Sequence, residues 1–147
     1  MTMHRRPLGR GRTLAALSTP LIVVGCVLPW WRVGGSPSIT EVSGNGLAGS
    51  GILVFLVGVV SLALVALPYA AGDRPVALDR WLTFGIVTVG GWLALGWRIV
   101  DLAMIGAFQF NEPAEVLTNG PGIWLAALGL TVLSRAVFEM AGEPSRR

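Results

Sequence analysis

The chain has 147 residues, of which 53% are hydrophobic and only 13% charged, and its mean hydropathy is +0.68. A soluble domain carries about 25% charged residues, so too little polar surface is present to coat a globule, and a membrane protein is expected. The net charge of +3 rests on 11 basic residues, all arginine, and these sort by loop instead of gathering into a patch for nucleic acid.

Four uncharged stretches divide the chain: Thr13 to Trp31, Val42 to Gly72, Trp81 to Trp97 and Val116 to Ser134. Each approaches or exceeds the roughly 18 residues of a spanning helix. The expected fold is an all-α membrane protein, a four-helix transmembrane bundle with two short outer β-hairpin loops. Its organisation is a basic tail (1–12), a membrane domain (13–140) with spans at about 13–31, 49–70, 81–105 and 121–140, and a second tail (141–147). Such a division leaves no room for a separate soluble catalytic or binding domain.

The first span follows Arg5, Arg6, Arg10 and Arg12. It contains Pro20, beside which Ser18 and Thr19 can satisfy a freed carbonyl. Val23-Val24-Gly25-Cys26 matches a lipobox, but the apolar Val27-Leu28-Pro29-Trp30-Trp31 follows where a polar tether belongs, so Cys26 reads as a small apolar residue inside the span. A lone cysteine also excludes an intramolecular disulfide, a Cys-x-x-Cys redox centre and a cysteine-based zinc site. Trp30 and Trp31 are expected to anchor the outer end at the membrane interface, as are Trp81 and Trp124 for the later spans. Beyond them, the turn-prone Gly34-Gly35-Ser36-Pro37-Ser38 and the β-prone Ile39-Thr40-Glu41-Val42 predict a hairpin over about 32–43.

The second span, rich in Val and Leu all round, should be the most lipid-exposed. A loop with Asp73-Arg74 and Asp79-Arg80 leads into the third span. Helical spacing there gathers Thr83, Val87, Gly90, Gly91, Ala94, Arg98 and Asp101 on one arc, opposite Trp81, Val89, Trp92, Leu93, Ile99 and Val100. Small and polar residues drive helix association in lipid, so the first arc is expected to face the bundle, with Gly90, Gly91 and Ala94 as packing positions. Arg98 and Asp101, one turn apart, form a candidate intramembrane polar site. Phe108-Gln109-Phe110 and Asn111-Glu112-Pro113 predict a second hairpin over about 107–119. Gly122, Ala126 and Gly129 are the packing positions of the fourth span. Matching segments in the two halves, Trp31-Arg32-Val33 with Trp97-Arg98-Ile99 and Asn45-Gly46 with Asn119-Gly120, are open to two explanations: parallel duplication, or chance in Gly-rich apolar sequence.

Arginines at the tails and in the 73–80 loop, with only Arg32 in the alternate loops, place both termini in the cytoplasm of a multi-pass plasma (inner) membrane protein. Neither a phosphate-binding loop nor a nucleophilic triad is present, and His4 stands alone in the tail. No enzyme, cofactor or metal is therefore expected, and no nucleic-acid partner.

Leu28-Pro29-Trp30-Trp31, the Gly/Ser loop ending in Gly44-Asn45-Gly46-Leu47, and Gly120-Pro121-Gly122-Ile123-Trp124 resemble an uncharacterised group of small four-span membrane proteins of actinobacterial type. The resemblance implies topology and envelope location, and no activity. The small multidrug transporters differ, since their first span carries a membrane-embedded Glu. Claudin-like proteins have paired cysteines in a longer loop. Two functions are expected: a structural or accessory subunit of an envelope complex, with the bilayer, an envelope protein or a second copy as partner; or a small oligomeric channel or transporter using Arg98 and Asp101.

Overall fold

The computed structural model of the protein describes residues 9–35, 37, 40–70, 81–106, 109 and 113–142. Helix α1 (Arg10–Val27) leads into an antiparallel pair of strands, β1 (Pro29–Val33) and β2 (Val42–Asn45). A 3-10 turn (Gly49–Gly51) opens α2 (Ile52–Ala70); α3 (Trp81–Met104), the short α4 (Pro113–Thr118) and α5 (Pro121–Gly142) follow.

The four long helices pack as a closed ring in the order α1, α2, α3, α5, with the most extensive contact between α1 and α5. Gly11, near the start of α1, lies against Met140 near the end of α5, whereas Gly25 lies against Gly122 and Ala126 near its start. Those two helices are therefore antiparallel. Gly85 opposite Val137 and Gly91 opposite Leu130 make α3 and α5 antiparallel in the same way. The hairpin, the 3-10 turn, the end of α3 and α4 all gather at one end as a cap.

Three segments are long and apolar enough to cross a membrane: Gly49–Ala70, Trp81–Met104 and Pro121–Gly142. The first helix is not among them, and the reason is local. Its 18 residues reach the length of a spanning helix, but Arg10 and Arg12 fall inside its first turn and, with Ser18, Thr19 and Pro20, leave it less apolar than the other three. Its buried positions are mostly small or hydroxylated, Gly11, Ala15, Ser18, Thr19, Gly25 and Cys26. Such residues suit a helix enclosed by others, since close backbone approach replaces side-chain bulk. Ser18 and Thr19 both donate to the Ala15 carbonyl one turn before Pro20.

Several expectations are corrected. The first span stops at Val27 instead of Trp31. Leu28 is extended (φ −70°, ψ 157°), as the residue before a proline prefers, and Pro29 has no N–H with which to continue the helix. The first hairpin accordingly begins earlier and ends later than 32–43, pairing Arg32 with Ser43 and Val33 with Val42; residues 36, 38 and 39 lie outside the described residues. The second outer hairpin is absent from its described part, where α4 stands in its place. Pro113 starts that helix with a preset φ, and Glu115 in its first turn complements the helix dipole. The matched Trp-Arg-aliphatic segments adopt different structures: Trp31-Arg32-Val33 is strand and Trp97-Arg98-Ile99 is helix. Nor is α2 singled out by exposure, because the same 33% of the most apolar 18-residue stretch is buried in each of the three segments. The loop at 73–80, Glu112 and residues 1–8 and 143–147 of the tails lie outside the described residues.

Candidate functional site

The cap is organised around Trp30. Helix α1 leaves the carbonyls of Gly25 and Cys26 without their usual donors four residues on, since Pro29 lacks an N–H and Trp30 has entered a strand. Both carbonyls find replacements. The Trp30 indole Nε1 donates to the Gly25 carbonyl at 2.8 Å, and the Gly46 N–H donates to the Cys26 carbonyl at 2.9 Å. The Trp30 ring is fully buried, against faces that only glycine leaves open. A Cβ at Gly46 would stand 2.5 Å from the ring, one at Gly122 would stand 2.8 Å from it, and one at Gly120 would land on the Trp30 carbonyl oxygen. Trp30 is thus not the expected interface anchor; it is the core of the cap.

The other anchors differ among themselves. Trp31 is half-buried over Gly44, and its Nε1 is buried without a partner among the described residues. Trp81 and Trp124 present exposed rings near the starts of α3 and α5.

Below the cap, α3 carries the polar site. Arg98 is only 4% exposed, and its Nη1 lies 2.6 Å from Asp101 Oδ2 in an i, i+3 ion pair. The same carboxylate oxygen accepts a hydrogen bond from the Ser50 hydroxyl at 3.0 Å. Ser50 sits in the 3-10 turn that starts α2, so the pair ties the outer end of α3 to the beginning of α2. Gly49 makes room for this: its φ is +60°, and a Cβ there would stand 2.9 Å from Arg98 Nη1. Sequence spacing brought Arg98 and Asp101 together, but Ser50 carries no signal that would single it out. The Arg98 Nε is buried and has no partner among the described residues. Glu41 pairs with Arg32 at 3.7 Å on the exposed hairpin.

The packing positions divide. Gly91 and Ala94 are buried, with Leu130 and Val57 closing on Gly91. Gly122, Ala126 and Gly129 are buried against α1. Gly90 is exposed with open space around it, which removes it from the packing face. The inward face of α3 is turned by about one residue from the expected arc, because Phe84, Leu95 and Leu102 are buried along with the small residues. Polar links elsewhere are peripheral: Trp92 Nε1 donates to Ser134 Oγ at 3.0 Å between α3 and α5, and Arg135 pairs with Glu139. Among the described residues no group of three His, Cys, Asp or Glu converges in a way that would hold a metal ion.

Comparison with protein-family models, with curated proteins and with solved structures finds no match to this chain.

Proposed function

We propose that the chain is an integral protein of the plasma (inner) membrane, a four-span bundle with both termini in the cytoplasm, and that it serves as a structural or accessory subunit of an envelope complex. The fourth span in this reading is α1, extended by the strand that follows it. Arginine placement supports the orientation: Arg10 and Arg12 lie at the end of the bundle opposite the cap, where α2 ends and α3 begins, and the sequence of the 73–80 segment adds Arg74 and Arg80.

One observation carries the functional reading. The charged pair within α3 is compensated inside the chain, with Asp101 engaged at once by Arg98 and Ser50. A compensated pair that fastens two helix ends acts on architecture. The test is gentle detergent extraction of the full-length chain from its native membrane, followed by identification of copurifying proteins. A stoichiometric envelope partner is expected, and a chain that purifies alone would count against the reading.

A second reading, a small oligomeric channel or transporter, draws on the buried Arg98 Nε without a partner among the described residues. Solute flux in reconstituted vesicles that is lost on Asp101→Asn would favour it over the first.

A further inference from the structure

Among the described residues, the buried polar side chains other than Arg98 are four hydroxyls, Ser18, Thr19, Ser61 and Thr88. Glycine contacts place all four at one depth. Ile22 meets both Gly58 and Gly129, and Gly91 meets Val57 and Leu130, which defines a layer across the four long helices. Helices α1 and α3 run toward the cap and α2 runs away from it. One turn further from the cap than that layer therefore lie Ser18 and Thr19 on α1, Ser61 on α2 and Thr88 on α3. Ser61 is the middle residue of α2, so the hydroxyls stand near mid-depth of the spans.

Three of them are committed within their own helices. Ser18 and Thr19 donate to the Ala15 carbonyl, and Thr88 donates to the Phe84 carbonyl at 2.7 Å. Ser61 differs: its Oγ is fully buried and has no partner among the described residues. A hydroxyl left unpaired at that depth is costly, because neither lipid nor apolar side chains can replace its bond to water. Its surroundings supply acceptors. One turn nearer the cap, Gly58 packs on Ile22 and Val23 of α1 while Val57 packs on Gly91 of α3. The same helical step sets Ser61 between Thr19 and Thr88. Each threonine oxygen has given its proton to a carbonyl and keeps a lone pair that can accept. The side chains here are short, whereas the layers on either side hold Ile22 and Leu130, or Leu64 and Phe84. Every group is neutral, so the complementary ligand is a small neutral molecule that accepts once and donates twice.

We propose that this layer binds one water molecule, which accepts a hydrogen bond from Ser61 Oγ and donates to Thr19 Oγ1 and Thr88 Oγ1. Three bonds are the usual complement of a buried water. The water ties α1, α2 and α3 together at mid-depth, and it does so whichever protein the chain assembles with.

The test is a double-mutant cycle on the full-length chain in mixed detergent micelles, read as the unfolding equilibrium constant. Thr19→Val and Thr88→Val each keep a branched side chain and remove the hydroxyl. The two threonines stand on opposite members of the helix ring, so only a shared ligand couples them directly. Each single variant should be destabilised about two- to tenfold, and the double variant should fall short of the product of the two by about twofold or more. In a Ser61→Ala background, which removes the donor that holds the water, the coupling should vanish. Strict additivity of the two threonines, or coupling that persists without Ser61, would overturn the proposal. Coupling of Ser61 to one threonine alone would mean a direct hydroxyl–hydroxyl bond, and would overturn it too. A high-resolution structure of the unaltered chain gives a readout that stands even where a variant does not fold. It should show one ordered water within hydrogen-bonding distance of Ser61 Oγ, Thr19 Oγ1 and Thr88 Oγ1; Ser61 donating to the Val57 carbonyl, with no water in the layer, would be the contrary result.

Discussion

Trp30 donates its indole N–H to the carbonyl of Gly25, five residues earlier, at 2.8 Å. That carbonyl is the one Pro29 leaves without a helical donor, so a side chain takes over a main-chain bond at the point where helix becomes strand. Trp30→Phe keeps the ring and deletes the donor. It should lower stability by about 1–3 kcal/mol, the cost of an unsatisfied buried acceptor, and Trp30→Ala by about 3–5 kcal/mol. Reversible unfolding followed by circular dichroism in mixed detergent micelles gives both values; a Trp30→Phe variant as stable as the parent would show that only ring volume matters.

The glycines around that ring set up a second contrast. Gly120→Ala places a methyl on the Trp30 carbonyl oxygen, where backbone meets backbone and neither side yields easily. Gly90→Ala meets open space in mid-helix. The first substitution should prevent assembly of the cap or lower the melting temperature strongly. The second should be neutral or stabilising, by up to about 1 kcal/mol from helix propensity. Melting temperatures of the two purified variants decide the matter, and similar losses would contradict the placement of either glycine.

The ion pair should respond unequally to losing one partner or the other. Asp101→Asn leaves the buried Arg98 guanidinium without its counter-charge, a loss of about 3–5 kcal/mol for a buried pair. Arg98→Met leaves a carboxylate that is 29% exposed and still bonded to Ser50, so the penalty should be smaller. In a double-mutant cycle the combined variant should recover part of the loss. Strict additivity would mean that Arg98 and Asp101 act independently in solution, with Arg98 directed to outer headgroups.

Ser50→Ala probes the third member. It removes one hydrogen bond to a charged group, about 1.5–3 kcal/mol before partial exposure is counted, and should loosen the start of α2 selectively. Hydrogen exchange should quicken at the amides of residues 52–55 while those in the middle of α5 stay unchanged. Uniform protection throughout would separate the polar site from the positioning of α2.

Orientation in the membrane is checked with reporters. A cytoplasm-active reporter fused after Arg147 should be active, and an export-active reporter inserted near Pro113 should be active as well. Activity of the export reporter at the C-terminus would reverse the arrangement.

Much of this architecture is written locally. Long runs such as Ile52–Ala70 and Trp81–Met104 declare themselves by hydropathy, because it depends on each residue's transfer to lipid and not on its neighbours in space. The i, i+3 spacing of Arg98 and Asp101 is local in the same sense. Tertiary structure decided what depends on distant segments. It drew Trp30 inward from an expected lipid interface, because glycines from two remote parts of the chain, at 46 and 122, leave space for the ring. It brought Ser50 to a carboxylate 51 residues away, and it turned α3 so that Phe84, Leu95 and Leu102 fill the bundle while Gly90 faces out. Hydrophobic length and helical period specify that a segment is a helix, but which of its faces is inside is fixed only when another helix offers the complementary shape.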